Sequence, residues 1–147
     1  MGKRLIDDPR AKLFQEYFRL LSEIQPKMFV FENVKGLLSM QNGQLIHTIV
    51  DLFKSLGYII KYRILNAADY GAPQIRERVI IVGTKLNGVF EYPEPTHTSE
   101  GNDLFRSQLK PYITLGEALG DLPVIESGEK GVNYPVEPQN DYQRLMR

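Results

Sequence analysis

Four consecutive apolar residues, Met28-Phe29-Val30-Phe31, run straight into Glu32 and Asn33, and no other feature of the sequence restricts the fold as strongly. A short unbroken apolar run with a polar mouth is the pattern of a strand buried on both faces, so a parallel central strand is expected here. Helical patterns stand on either side of it. Leu13, Phe14, Tyr17, Phe18, Leu21 and Ile24 recur on one helical face between a start signal at Asp7-Asp8-Pro9 and a stop at Pro26. Downstream, Asn42 or Gly43 opens a second helix with Leu45, Ile46, Ile49, Val50, Phe53 and Leu56 on one stripe and Gly57 as its stop. Tyr58 to Leu65 and Val79 to Val82 are β-rich, and the stretch Ala67 to Arg78 between them is too long for a tight hairpin turn. This order predicts an α/β architecture with helices flanking a mostly parallel sheet. Such sheets bind ligands beyond the carboxyl ends of their strands, and Glu32 occupies one of those ends.

The chain has 147 residues, enough for one domain or part of one. Its 18 basic and 18 acidic side chains cancel, so attraction to a nucleic acid must come from a local cluster rather than a global field. Apolar residues make up 42% and charged residues 24%, which permits a packed core and argues against disorder. With no cysteine, the sequence offers no disulfide, thiolate metal site or cysteine nucleophile of its own. No apolar run approaches the roughly 18 residues needed to cross a bilayer, and no secretory signal is recognisable, so a cytoplasmic location is expected. Six of the nine prolines fall between Pro93 and Pro138. Two parts are therefore predicted: a regular domain over residues 1–86 and a loop-rich region over 87–147. In the second part, Thr114-x-x-Glu117 is a capping-box signature for one short helix, and no regular element is predicted beyond Pro123.

Three segments carry residues suited to chemistry. They are Phe31-Glu32-Asn33-Val34, the stretch from Asn66 to Arg78 containing Gln74, Arg76 and Arg78, and the opening Gly2-Lys3-Arg4 to Arg10. Singly, each has an ordinary explanation: a solvated or paired strand-end acid, a surface ion-pair cluster, a helix cap. In content, order and spacing together they resemble the later blocks of the cytosine-C5 DNA methyltransferase family. The Glu-Asn-Val block falls at Glu32 to Val34, and the Gln-x-Arg-x-Arg block at Gln74, Arg76 and Arg78. Asp8-Pro9-Arg10-Ala11-Lys12-Leu13-Phe14 is similar to the family's Asp-x-Arg-x-x-Leu-Phe stretch. The likeness is close over about the first 85 residues and looser from Thr114 to Pro123.

The resemblance implies the second half of a Rossmann-like, S-adenosylmethionine-dependent methyltransferase sheet, with parallel strands and an antiparallel pair at one edge, followed by the start of a target-recognition region. In that family a cysteine thiolate adds to C6 of a cytosine flipped out of double-stranded DNA, and C5 then takes a methyl group from S-adenosylmethionine. By resemblance Glu32 serves the N3 edge of the base, with a raised pKa supplied by its apolar strand and by exclusion of water. Arg78 serves the O2 oxygen, Arg76 holds the active-site loop or the target phosphate, and Gln74 positions the arginine segment. Asn33 ties the strand end to the following loop beside Val34. Lys3, Arg4, Arg10 and Lys35 read equally as phosphate contacts or as solvated charges. His47 and His97 have no partners at metal-ligand spacing, and no metal is expected.

The family's glycine-rich cofactor loop, its ribose-binding acid and its Pro-Cys loop have no counterpart in these residues. The expectation is therefore a catalytic fragment, inactive alone and unable to bind S-adenosylmethionine, that needs the missing N-terminal half. It is also expected to self-associate through an exposed sheet edge. One chain of a split methyltransferase, a non-catalytic DNA-binding or regulatory module, and an RNA-directed relative are the alternatives.

Overall fold

The computed structural model describes residues 9–88, 90–99, 109–131 and 133–147. The opening segment with Lys3, Arg4 and the Asp7-Asp8 cap lies outside the described residues, as does the side chain of Arg10. In chain order the elements are α1 (Pro9–Ile24), β1 (Met28–Val34), α2 (Gln44–Ser55), β2 (Ile59–Asn66), β3 (Glu77–Thr84), β4 (His97–Thr98), β5 (Lys110–Pro111), α3 (Leu115–Leu119) and α4 (Asp141–Met146). Short 3₁₀ turns at Lys35–Leu38, Met40–Gly43 and Ala67–Tyr70 link them. The architecture is α/β, with a three-stranded sheet in the order β1-β3-β2 and a separate two-stranded sheet.

Strands β1 and β3 pair antiparallel, in a register that sets Met28 opposite Thr84 and Val34 opposite Arg78. The parallel pairing lies in the small β4–β5 sheet. This corrects the expectation of a parallel central strand, because β1 is an edge strand of its sheet and its defined partner runs the other way. It also corrects the expectation of burial on both faces. Phe29 is buried and Phe31 half-buried, while Met28, Val30 and Val34 are exposed. The cause is that α1 and α2 contribute to one cluster on one side: Leu21, Ile46, Ile49, Val50 and Phe53 pack with Phe29, Val79 and Ile81. Four apolar letters in a row thus conceal the alternation of a one-sided antiparallel strand.

The chain divides into two compact units, one comprising residues up to Ile64 with Arg78–Tyr92, the other Leu65–Glu77 with Pro93–Arg147. The arginine-bearing connection therefore joins the later residues, rather than following the order of the sequence.

In the first unit Phe53 is fully buried, and its ring centroid lies 4.7 Å from that of Phe29. Phe29 in turn meets Tyr58 at 4.9 Å, edge to face. Burying one such ring contributes about 1.5–3 kcal/mol. Gly83 faces Phe29 across the ladder, and a Cβ there would lie 2.1 Å from a ring carbon, so only glycine leaves room for the aromatic plane. The two tyrosines of this core have their polar ends satisfied: the Tyr17 hydroxyl donates to the Val30 carbonyl (2.9 Å) and that of Tyr58 to the Pro26 carbonyl (2.7 Å). Burial pushes both phenols above their ordinary pKa. The α2 stripe is as expected, with Ile46, Ile49, Val50 and Phe53 buried and Gly57 at φ +84 beyond the helix end. The α1 stripe is narrower than expected: Leu13 and Ile24 are exposed at its margins.

The second unit is held differently. Among its described residues the buried apolar side chains are Ala68 and Ala118, while Asp121 and Gln143 are buried polar groups. Thr114 and Glu117 form the reciprocal capping box at the start of α3. Asn140 caps α4, a helix the sequence reading does not anticipate, by accepting from the Gln143 N–H at 2.9 Å. The Asn140 and Gln143 amides both donate to the Glu117 carbonyl, at 2.9 and 2.7 Å, and so tie α4 to α3. The Arg147 guanidinium binds the buried Asp121 carboxylate at 2.9 Å, donates to the Val136 carbonyl at 2.6 Å and stacks on Tyr134.

Candidate active site

Pleating decides which of the candidate residues meet. In the β1–β3 register Glu32 lies opposite Ile80 and Val34 opposite Arg78, so Glu32, Val34 and Arg78 share one face of the sheet. Arg78 is the diagonal neighbour of Glu32 across the strands. Its Nε lies 2.8 Å from a carboxylate oxygen of Glu32, with about half of the Glu32 side chain and a quarter of the Arg78 side chain open to solvent. A pair this exposed adds only about 0–1 kcal/mol to stability. What the contact supplies is geometry: an acid and a planar guanidinium at fixed spacing on an open strand end.

Asn33 points to the opposite face, half-buried, and its side-chain oxygen accepts from the Val34 N–H at 2.8 Å. Val34 is exposed, and Lys35 begins the 3₁₀ turn that follows. The Glu32 carboxylate stands open to solvent beside the Arg78 guanidinium.

Gln74 and Arg76 stand on the connection assigned to the second unit, and both are exposed. Arg76 is fixed by its backbone. Its N–H donates to the Asn66 side-chain oxygen at 2.9 Å, and its carbonyl accepts from the Ala67 N–H at 3.1 Å. The positioning expected of Gln74 therefore falls to Asn66, which also caps the turn Ala67–Tyr70. An Asn at the end of a strand, three residues before an Asp, was the local signal for such a cap. Gly71 ends that turn at φ +89 with the His97 ring against it, so close that an added Cβ would stand 2.8 Å from a ring carbon.

The same unit contains a cavity of about 430 Å³ lined by Tyr70, His97, Tyr112, Glu117, Asp141 and Tyr142 among others, and none of the residues predicted to carry chemistry lines it. His47 is exposed on α2. Among the described residues no group of three or more His, Cys, Asp or Glu is arranged to hold a metal ion, and no helix is long and apolar enough to cross a membrane.

A site for S-adenosylmethionine needs a glycine-rich turn that admits the ligand to the backbone and a carboxylate for the ribose hydroxyls. At the end of β1 the acid is Glu32, already engaged by Arg78, and the turn after it carries the single glycine Gly36. That strand end does not offer this pattern.

Over residues 1–145 the chain matches the family described as C-5 cytosine-specific DNA methylase. It is 49% identical over 123 residues to the Type II methyltransferase M.BspRI of Lysinibacillus sphaericus, covering 82% of this chain and 28% of that protein. To the Type II methyltransferase M.AquIA of Picosynechococcus it is 44% identical over 135 residues, covering 83% of this chain and 54% of the relative. A crystal structure of an E. coli prophage-encoded DNA modification methyltransferase superposes with a TM-score of 0.60 at 31% identity, covering 81% of this chain and 32% of that one. The chain thus spans between about a quarter and about half of the curated relatives it matches.

Proposed function

Because this chain belongs to the C-5 cytosine-specific DNA methylase family, we propose that it provides the base-side half of a catalytic domain that methylates C5 of a flipped cytosine in double-stranded DNA. The observation that carries this reading is the Glu32–Arg78 contact at 2.8 Å on one sheet face, at the position where the family resemblance requires an acid and a guanidinium together. As a nucleophile adds to C6, negative charge spreads to N3 and O2 of the ring. Glu32 hydrogen-bonds to or protonates N3, and Arg78 donates to O2. Entry of the base into the mouth beside Glu32 supplies the desolvation that the open site lacks. Arg76, held by its backbone, presents its guanidinium to the loop that closes over the base or to a flanking phosphate. Val34 borders the mouth on the same face as Glu32, Asn33 ties the strand end to the following loop, and Gln74 belongs to the arginine segment.

S-adenosylmethionine is the methyl donor of this family, and when bound it supplies the methyl group. The 147 residues hold no cysteine, and the end of β1 offers no glycine-rich turn beside a free acid. We therefore assign nucleophile and cofactor to the additional length that the relatives possess, with residues 1–86 as partial catalytic domain and 87–147 as linker and start of target recognition. In this reading the chain is inactive alone, works in the cytoplasm as the modification partner of a restriction system, and self-associates through the outer edge of β1, where Val30 and Val34 are exposed.

Calorimetry of the chain with S-adenosylmethionine is expected to show no binding, and tight binding would overturn the division of labour. Sedimentation at micromolar concentration is expected to show association, and a strict monomer argues against the exposed edge as a pairing site. The DNA upstream of the first codon separates the alternatives: an in-frame Pro-Cys loop supports a longer enzyme, an adjacent gene encoding that loop supports a split pair, and neither supports a non-catalytic module. The Type II DNA methyltransferase relatives favour DNA over RNA as substrate.

A further inference from the structure

The Asn66 amide makes bonds in three directions. Its oxygen accepts from the backbone N–H groups of Arg76 (2.9 Å) and Ala68 (3.4 Å), and its nitrogen donates to the Tyr112 hydroxyl at 3.4 Å. Backbone N–H groups can only donate, so they fix which end of the amide is oxygen. The nitrogen must then point at Tyr112, and the Tyr112 proton is left to the Asp69 carboxylate, to which it donates. That bond pushes the Tyr112 phenol above its ordinary pKa. Asp69 closes the circuit through its backbone, its carbonyl accepting from the Thr96 N–H at 2.8 Å. Tyr112 follows directly on β5 and is fastened to β4 by its own N–H on the Thr98 carbonyl at 3.0 Å. All these residues belong to one compact unit.

We propose that Asn66 and Tyr112 are positioning residues for Arg76: Asn66 sets the place of the Arg76 backbone, and Tyr112 makes that placement depend on the β4–β5 segment. The chain of bonds runs in one direction, from Arg76 N–H to Asn66, from Asn66 to Tyr112, and from Tyr112 to Asp69, an arrangement in which each bond polarises the next. Segment 93–147 is thereby linked to the Asn66 side chain through the Tyr112 phenol, beside the backbone bond from Thr96 to Asp69. The functional weight of this linkage rests on the role proposed above for Arg76, but the linkage itself does not.

Amide hydrogen exchange followed by NMR on the ¹⁵N-labelled 147-residue chain tests it. Asn66→Ala is expected to speed exchange at Arg76 by about ten-fold, and Tyr112→Phe by about three-fold at Arg76 and Ala68, both leaving Val79 and Ile81 unchanged. In the double variant the Tyr112 change should add nothing to the Asn66 change. Asn66→Asp, which keeps the accepting oxygen and loses the donor to Tyr112, should speed exchange at Arg76 only about three-fold, as Tyr112→Phe does. Wild-type exchange at Arg76 in Tyr112→Phe overturns the linkage, and wild-type exchange in Asn66→Ala overturns the positioning. An equal rise at Val79 and Ile81 makes these residues general stabilisers and overturns both. Wild-type kcat of the complete methyltransferase carrying Arg76→Ala would count against the functional reading while leaving the exchange result intact.

Discussion

The two units of this chain are stabilised by different physics. In the first, Phe29, Phe53, Tyr58, Val79 and Ile81 are removed from water, and two helices close over one face of a three-stranded sheet. In the second, the buried apolar side chains among the described residues are alanines, and order comes from directed bonds: Asp121 with Arg147, Tyr112 with Asp69, Asn140 and Gln143 with the Glu117 carbonyl. Apolar burial is non-directional and tolerates small adjustments, whereas hydrogen bonds and ion pairs fix geometry and respond to charge. The proposed acid and its guanidinium partner stand on the sheet of the first unit, and the backbone clamp on Arg76 belongs to the second.

The strongest test of this contrast is Phe53→Ala, which empties the centre of the aromatic cluster and should cost about 3–5 kcal/mol in a urea titration. A loss under 1 kcal/mol would mean the first unit does not depend on that ring. Gly83→Ala drives a methyl group into Phe29 and should cost about 3 kcal/mol by the same measurement. Arg147→Ala leaves the buried Asp121 carboxylate without its guanidinium and should cost about 2 kcal/mol. An effect as large as that of Phe53→Ala would erase the distinction between the units.

The smallest effect is pH-dependent. The Thr114 backbone N–H, and then its hydroxyl, hold the Glu117 carboxyl below the ordinary glutamate pKa. A depressed folded-state pKa means that the contribution is present above the unfolded value and is lost as pH falls through the folded one. Protection factors in α3, corrected for the intrinsic pH dependence of amide exchange, should therefore fall as the solution is acidified below the ordinary glutamate range, and Thr114→Ala should flatten that dependence.

The parts legible in the sequence are those whose cause is local. Gly43, Gly57 and the apolar stripe between them define α2 within one stretch of chain, and Thr114 with Glu117 declares a capping box by spacing alone. The burial of β1 was not legible, because Met28 to Phe31 spell the same word whether helices cover one face or two. The Glu32–Arg78 pair was anticipated through the family resemblance, but its diagonal geometry depends on a strand register that no local pattern dictates. Asn66 and Tyr112 meet across 46 residues, so the clamp on Arg76 had no sequence signal beyond a strand-end asparagine. Helix α4 follows a proline-rich run that masks the cap at Asn140.

The central claim is that Glu32 and Arg78 receive the reacting pyrimidine. The most direct measurement is the turnover of the complete methyltransferase carrying Glu32→Gln, with methyl transfer to a cytosine-containing duplex followed at saturating DNA. A fall in kcat of about 10²-fold or more, with KM for DNA little changed, is the predicted result. Wild-type kcat in that variant would contradict the account.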